Sequence, residues 1–127
     1  MTITGSVPIH GHAEGGEAFS LEAVEDVDRL VDLLSRPETD TATLEAEDGS
    51  TLDAHVAGAA GYLLYAGNDS FGYSVGDPGT PAVESEVGFP PGSGIPLDRF
   101  RTALREFLAD GGRAPRSVRW RDPAELP

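Results

Sequence analysis

The sequence predicts a two-layer α+β domain, in which a mainly antiparallel sheet of five to seven strands packs against two helices. Two segments, at about residues 24–35 and 96–110, repeat apolar residues at helical spacing. Between them, residues 41–87 alternate apolar and polar residues in short runs that glycines interrupt. Because this arrangement places both helices on one face of the sheet, we expect the other face to remain partly uncovered.

The second helix has the clearest signal. Its apolar positions recur at i, i+3, i+7, i+10 and i+11, which forms one stripe wide enough to face a core. Pro96 suits the first turn of a helix, and Gly111 and Gly112 can adopt the left-handed conformation that often ends one. The stripe consists of Leu97, Phe100, Leu104, Phe107 and Leu108.

The first helix is predicted from a second apolar stripe, which Pro37 ends. Four acidic residues crowd its first turns, where the helix dipole favours negative charge, so these acids have a structural explanation. The predicted buried face consists of Val24, Val27, Leu30, Val31 and Leu34.

The strands are predicted from runs of period two and from the turns between them. Asp48-Gly49 is a strong hairpin signal, and the most hydrophobic run, residues 62–66, should lie near the centre of the sheet. The predicted strands cover residues 2–9, a short piece from Phe19, and residues 41–47, 51–57, 62–66, 71–75, 82–87 and 117–120.

The charge is strongly negative and unevenly distributed. The chain carries 22 acidic and 9 basic residues, a net charge of −13, and every basic residue is arginine. Residues 97–127 hold seven of the nine arginines, whereas residues 1–96 hold 17 of the 22 acids. Such a charge repels nucleic acid and anionic membranes and accelerates encounter with a basic partner. A surface that serves only solubility is the alternative explanation.

Length and composition indicate one domain over residues 1–127, with a frayed tail from about residue 121. The chain has no cysteine, no apolar run of about 20 residues, and no basic N-terminal segment followed by an apolar one. We therefore expect a soluble cytoplasmic protein.

Motifs for catalysis are scarce. Ser74 lies between Gly72 and Gly76, but outside the strand-to-helix turn that activates a hydrolase serine. His10, His12 and Glu14 have a spacing that could bind a metal on a strand, although the surrounding glycines favour a loop. We therefore expect no catalytic residues, no metal, no cofactor and no enzymatic activity.

Three segments near the C-terminus resemble a known family. Residues 89–108 read Phe-Pro-Pro-Gly-Ser-Gly-Ile-Pro-Leu-Asp-Arg-Phe-Arg-Thr-Ala-Leu-Arg-Glu-Phe-Leu, and Gly-Gly-Arg-Ala-Pro and Val-Arg-Trp follow at 111–115 and 118–120. This pattern resembles the C-terminal signature of the first-numbered immunity-protein family of bacterial polymorphic toxin systems. The resemblance extends over roughly residues 20–120.

The resemblance implies a non-enzymatic inhibitor that binds a cognate toxin, typically a nucleic-acid deaminase encoded by a neighbouring gene. An acidic surface could occupy the toxin's active site or basic substrate groove by imitating phosphate charge. An acidic chaperone or adaptor that binds a basic partner without inhibiting it is the alternative. Strand alternation and turn position predict the toxin contacts at Glu45, Glu47, Asp48, Asp53, Asp69, Asp77, Glu84 and Glu86, with Tyr73 as an aromatic anchor.

Overall fold

A computed structural model of the chain describes residues 3–9, 16–67, 70–84 and 88–122. It contains the two predicted helices, α1 (Val24–Leu34) and α2 (Leu97–Ala109), and one antiparallel sheet. The predicted α+β class is therefore confirmed. The strands are β1 (Ile3–Pro8), β2 (Gly16–Leu21), β3 (Ala42–Glu45), β4 (Thr51–Ala57), β5 (Ala60–Ala66), β6 (Phe71–Val75), β7 (Ile95–Pro96) and β8 (Arg119–Arg121).

The strands follow the order β2-β1-β3-β4-β5-β6-β8, and the two-residue β7 pairs with one end of β5. From β3 to β6 each strand pairs with the next in sequence, as the predicted meander requires. At the two ends the order departs from the sequence. The connection through α1 carries the chain from β2 past β1 to β3, and the connection through α2 brings β8 beside β6.

The core lies between one face of the sheet and the two helices. Phe100, Leu104 and Phe107 of α2 are fully buried, and the strands supply Leu44, Leu52, Leu63 and Tyr65. Burying one such large apolar side chain contributes about 1.5–3 kcal/mol before conformational entropy is subtracted. The helices also contact each other through Asp28, whose carboxylate accepts hydrogen bonds from Arg101 and Arg105 at 2.6 and 3.1 Å.

One residue of the predicted core is misplaced. Val27, Leu30, Val31 and Leu34 are buried as predicted, but 49% of Val24 is exposed. Val24 begins α1, and its neighbours Ala23 and Glu25 are exposed too, so this first turn extends past the edge of the core. The predicted burial of Val24 was therefore wrong.

Local interactions explain where α1 begins and where α2 ends. Asp26, in the first turn of α1, accepts hydrogen bonds from the amides of Glu22 and Ala23 at 2.8 and 3.0 Å. After α2, Gly111 and Gly112 take positive φ angles of 67° and 99°, which confirms the predicted glycine stop. The Gly112 amide donates to the Phe107 carbonyl at 2.9 Å, which pairs one of the last carbonyl groups of the helix.

The predicted hairpin at Asp48-Gly49 is present, whereas the described residues 82–84 of the strand predicted at 82–87 do not join the sheet. Gly49 has a φ of 89°, and Asp48 accepts a hydrogen bond from the Ser50 amide at 2.9 Å. Val83 and Phe89 exchange two backbone hydrogen bonds of 2.9 Å in an isolated bridge, and Gly88 beside it has a φ of 74°. Residues 82–84 thus pair locally with the returning chain and not with the sheet, while residues 85–87 lie outside the described part.

Candidate functional site

The face of the sheet opposite the helices, here called the open face, carries the candidate site. Residues paired across antiparallel strands point to the same face, so the strand register identifies its members. One line of paired residues runs Thr43, Asp53, Leu64, Tyr73 and Arg121. The next line runs Glu45, Thr51, Ala66 and Phe71.

One end of the open face is covered by the segment from residue 76 to 94, here called the strap, whose residues 85–87 are not described. Phe89 of the strap is only 3% exposed, and its ring centroid lies 6.1, 5.8 and 6.0 Å from those of His55, Tyr62 and Tyr73. The Tyr62 hydroxyl donates to the carbonyl of Pro81 at 3.2 Å. This cover explains why Tyr62 is buried although it points away from the helices.

Ser74 joins the strap to the sheet from the other side. Its hydroxyl accepts a hydrogen bond from the Leu63 amide at 3.1 Å and donates to the Ser93 carbonyl at 2.7 Å. Ser74 is buried, so both bonds are shielded from water. The serine of the Gly72–Gly76 segment therefore has a structural role, as the sequence indicated.

Two titratable groups of β4 lie on the open face in partly buried positions. Burial raises the pKa of Asp53, and the hydrogen bond that it accepts from Thr43 at 2.8 Å opposes this rise. Burial lowers the pKa of His55, and the negative charge of Asp40 opposes that change. Asp53 is thus a carboxylate that has already lost part of its hydration within the folded protein.

The structure brings together only some of the predicted contact residues. Glu45, Asp53 and Tyr73 share the open face. Glu47 and Asp48 are exposed in the β3–β4 turn, and Asp48 lies next to Gly112 on the helix side. Asp77 and Glu84 are exposed on the strap, and Asp77 accepts a hydrogen bond from the Gly79 amide at 2.8 Å. Asp69 and Glu86 lie outside the described residues.

The open face also carries three residues that were not among the predicted contacts. Phe71 projects from β6 with 51% of its surface exposed, and Arg119 and Arg121 project from β8 on the same side. The shared face of Phe71 and Tyr73 was readable from their period-two spacing. The position of the arginines was not, because it depends on β8 pairing with β6 across more than 40 intervening residues.

Apart from the open face, the described residues form a groove on the helix side of the sheet. A groove of about 470 Å³ runs between β2 and α1, with Phe19, Leu30 and Leu33 among its walls. Within the described residues, no group of three or more His, Asp or Glu side chains could hold a metal ion. His10, His12 and Glu14 fall outside that part of the chain.

No helix in the described ranges is long and apolar enough to cross a membrane.

Comparison with known proteins identifies the family. The family model described as Immunity protein Imm1 matches residues 15–122, a range that includes both helices and every strand except β1. No curated protein matches the chain. The matched range also contains the open face from β3 to β8 and the whole strap. Because the match extends over most of its length, the chain belongs to the Imm1 family of immunity proteins.

Proposed function

We propose that this immunity protein binds and neutralises a nucleic-acid deaminase toxin encoded by a neighbouring gene, and that it does so in the cytoplasm. The family match over residues 15–122 carries the immunity role and the existence of a cognate toxin. The choice of a deaminase follows the resemblance of the C-terminal segments to immunity proteins that neighbour such toxins. Inhibition by binding alone requires neither a catalytic residue nor a cofactor.

The proposed mechanism is occlusion of the toxin's active site or substrate groove. An enzyme that acts on nucleic acid needs a basic surface to hold phosphates. A protein with a net charge of −13 accelerates encounter with such a surface, and this effect weakens as salt rises. Glu45 and Asp53 on the open face, with Glu47 at its end, are the described carboxylates best placed to meet basic groups.

Co-expression tests the proposal most simply. The neighbouring gene product should arrest growth when expressed alone, and this chain should restore growth and copurify with it. A neighbouring product that is harmless alone would contradict the proposal. Copurification without rescue would instead indicate an adaptor that binds a basic partner without inhibiting it.

A further inference from the structure

An apolar block lies on the open face where β5 and β6 pair, next to the turn that connects them. Phe71 pairs with Ala66 and Tyr73 pairs with Leu64, so the four side chains form two adjacent pairs on β5 and β6. Leu64, Ala66 and Tyr73 are partly exposed, and Phe71 is half exposed. Among the large hydrophobic side chains described, only Phe71 and Val24 are exposed to this extent, and Val24 lies on α1, in the helix layer. An exposed aromatic residue within an apolar neighbourhood is typical of a protein-binding site.

Opposite charges flank this block. On one side, Asp53 of β4 pairs with Leu64 of β5, and Glu45 of β3 lies two strands away from Ala66 in the neighbouring line of residues. On the other side, Arg121 pairs with Tyr73, and Arg119 lies two residues away on the same face of β8. With strands about 4.8 Å apart, the backbones of Asp53 and Arg121 are roughly 14 Å apart. Neither Arg119 nor Arg121 forms an ion pair with another described residue.

We propose that the toxin docks on this charge-polarised surface, with Phe71 as the anchor between an acidic side of Glu45 and Asp53 and a basic side of Arg119 and Arg121. The matching surface of the toxin then has an apolar pocket for Phe71. Basic groups on one side of this pocket meet the carboxylates, and acidic groups on the other side meet the arginines. The inference rests on the proposed function but goes beyond imitation of phosphate, because a phosphate mimic would carry charge of one sign only.

The apolar block and the charges on either side of it contribute differently to binding. Large aromatic side chains that enter a desolvated pocket supply much of the affinity of protein interfaces, whereas rim charges mainly set association rate and orientation. A surface with opposite charges at its two sides fits a partner in one orientation, since the reversed orientation brings like charges together. Asp53 is partly buried already, so the interface removes less water from it than from a fully exposed carboxylate.

Binding of the purified catalytic domain of the neighbouring toxin to matched variants tests the inference. Phe71→Ala is compared with Val24→Ala, since the two side chains are similarly exposed but only Phe71 lies on the open face. The double change Arg119→Glu/Arg121→Glu is compared with Arg113→Glu/Arg116→Glu, which alters net charge equally elsewhere. Dissociation constants are measured by titration calorimetry, and thermal unfolding verifies that each variant folds.

We expect Phe71→Ala to weaken binding by about 30-fold or more and Val24→Ala to change it by less than about 2-fold. Reversal of Arg119 and Arg121 should weaken binding by about 10-fold or more, well beyond its control pair. If the wild-type protein binds the toxin domain but Phe71→Ala and Val24→Ala change the dissociation constant equally, the inference is overturned and the proposed function still stands. Tighter binding after the arginine reversal would also overturn it, because a uniformly acidic surface would then be preferred.

A second measurement needs no variant, so it tests the docking surface even if Phe71→Ala does not fold. Hydrogen exchange of the wild-type protein, with and without the toxin domain, should show slower exchange at residues 71–75 and 119–121 in the complex. Protection elsewhere without any at β6 and β8 would contradict the docking surface. Absence of any complex with the wild-type protein would instead contradict the proposed function.

Discussion

His55 illustrates how the strap changes the chemistry of a single side chain. Its ring lies under Phe89 and beside Tyr62, and its Nδ1 is 3.2 Å from the Thr41 hydroxyl. Burial lowers the pKa of His55 below its ordinary value of 6.5, while Asp40 opposes the change. The folded protein therefore favours the neutral ring, whereas the unfolded chain binds a proton more readily.

This linkage predicts a pH dependence of stability. The contribution of a neutral His55 is fully present above about pH 6.5 and is lost as pH falls toward its lowered folded pKa, because the unfolded state gains the proton first. His55→Gln should therefore flatten the fall in unfolding free energy between about pH 7.5 and 5.5, measured by urea titration. His10 and His12 are common to both proteins, so their effect cancels. Identical slopes in the two proteins would contradict the role of burial.

At the residue scale, the sequence predicted buried positions well but did not assign exposed charged residues to one face of the sheet. The i, i+3 and i+4 spacing identified Phe100, Leu104 and Phe107 because one face of a helix has one environment. An exposed residue has no such constraint, so charge alone did not separate Glu45 on the open face from Asp48 beside Gly112. Phe71 was not among the predicted contacts for a different reason, since an apolar residue on a strand is ordinarily assigned to packing.

At the element scale, α1 offers a matched test of where the core begins. Val27 is fully buried and Val24 is half exposed, although both lie in the first turns of the same helix. Val27→Ala should lower the unfolding free energy by on the order of 2 kcal/mol, because it removes two buried methyl groups and leaves a cavity. Val24→Ala should change it by less than about 0.5 kcal/mol. Equal losses in chemical denaturation would show that the first turn of α1 packs against the core after all.

Strands were predicted well where glycine turns marked their ends. The strands at residues 51–57 and 71–75 have the predicted bounds, since alternation and turns agree there. Residues 82–84 alternate too, but prolines and glycines on both sides return the chain on itself before it reaches the sheet. Alternation describes the two faces of an extended segment and does not identify its hydrogen-bonding partner.

At the scale of the whole molecule, the order of the strands was beyond sequence reasoning. Insertion of β1 between β2 and β3, and docking of β8 against β6, depend on contacts between distant segments. The separation of positive and negative charge on the open face follows from the pairing of β8 with β6. This pairing places the arginine-rich C-terminal part beside a sheet whose other strands carry mostly acids. A linear count of charge therefore indicated an acidic surface but not the arginines that β8 places beside it.

Inhibition of the purified toxin by the purified chain tests the central claim most directly. Deamination of a nucleic-acid substrate by the catalytic domain of the proposed toxin is followed while the immunity protein is titrated into a fixed concentration of enzyme. We predict that activity falls to background near a one-to-one ratio, and that Phe71→Ala requires a large excess for the same effect. Full deaminase activity in the presence of about a tenfold excess of the wild-type protein would contradict the account.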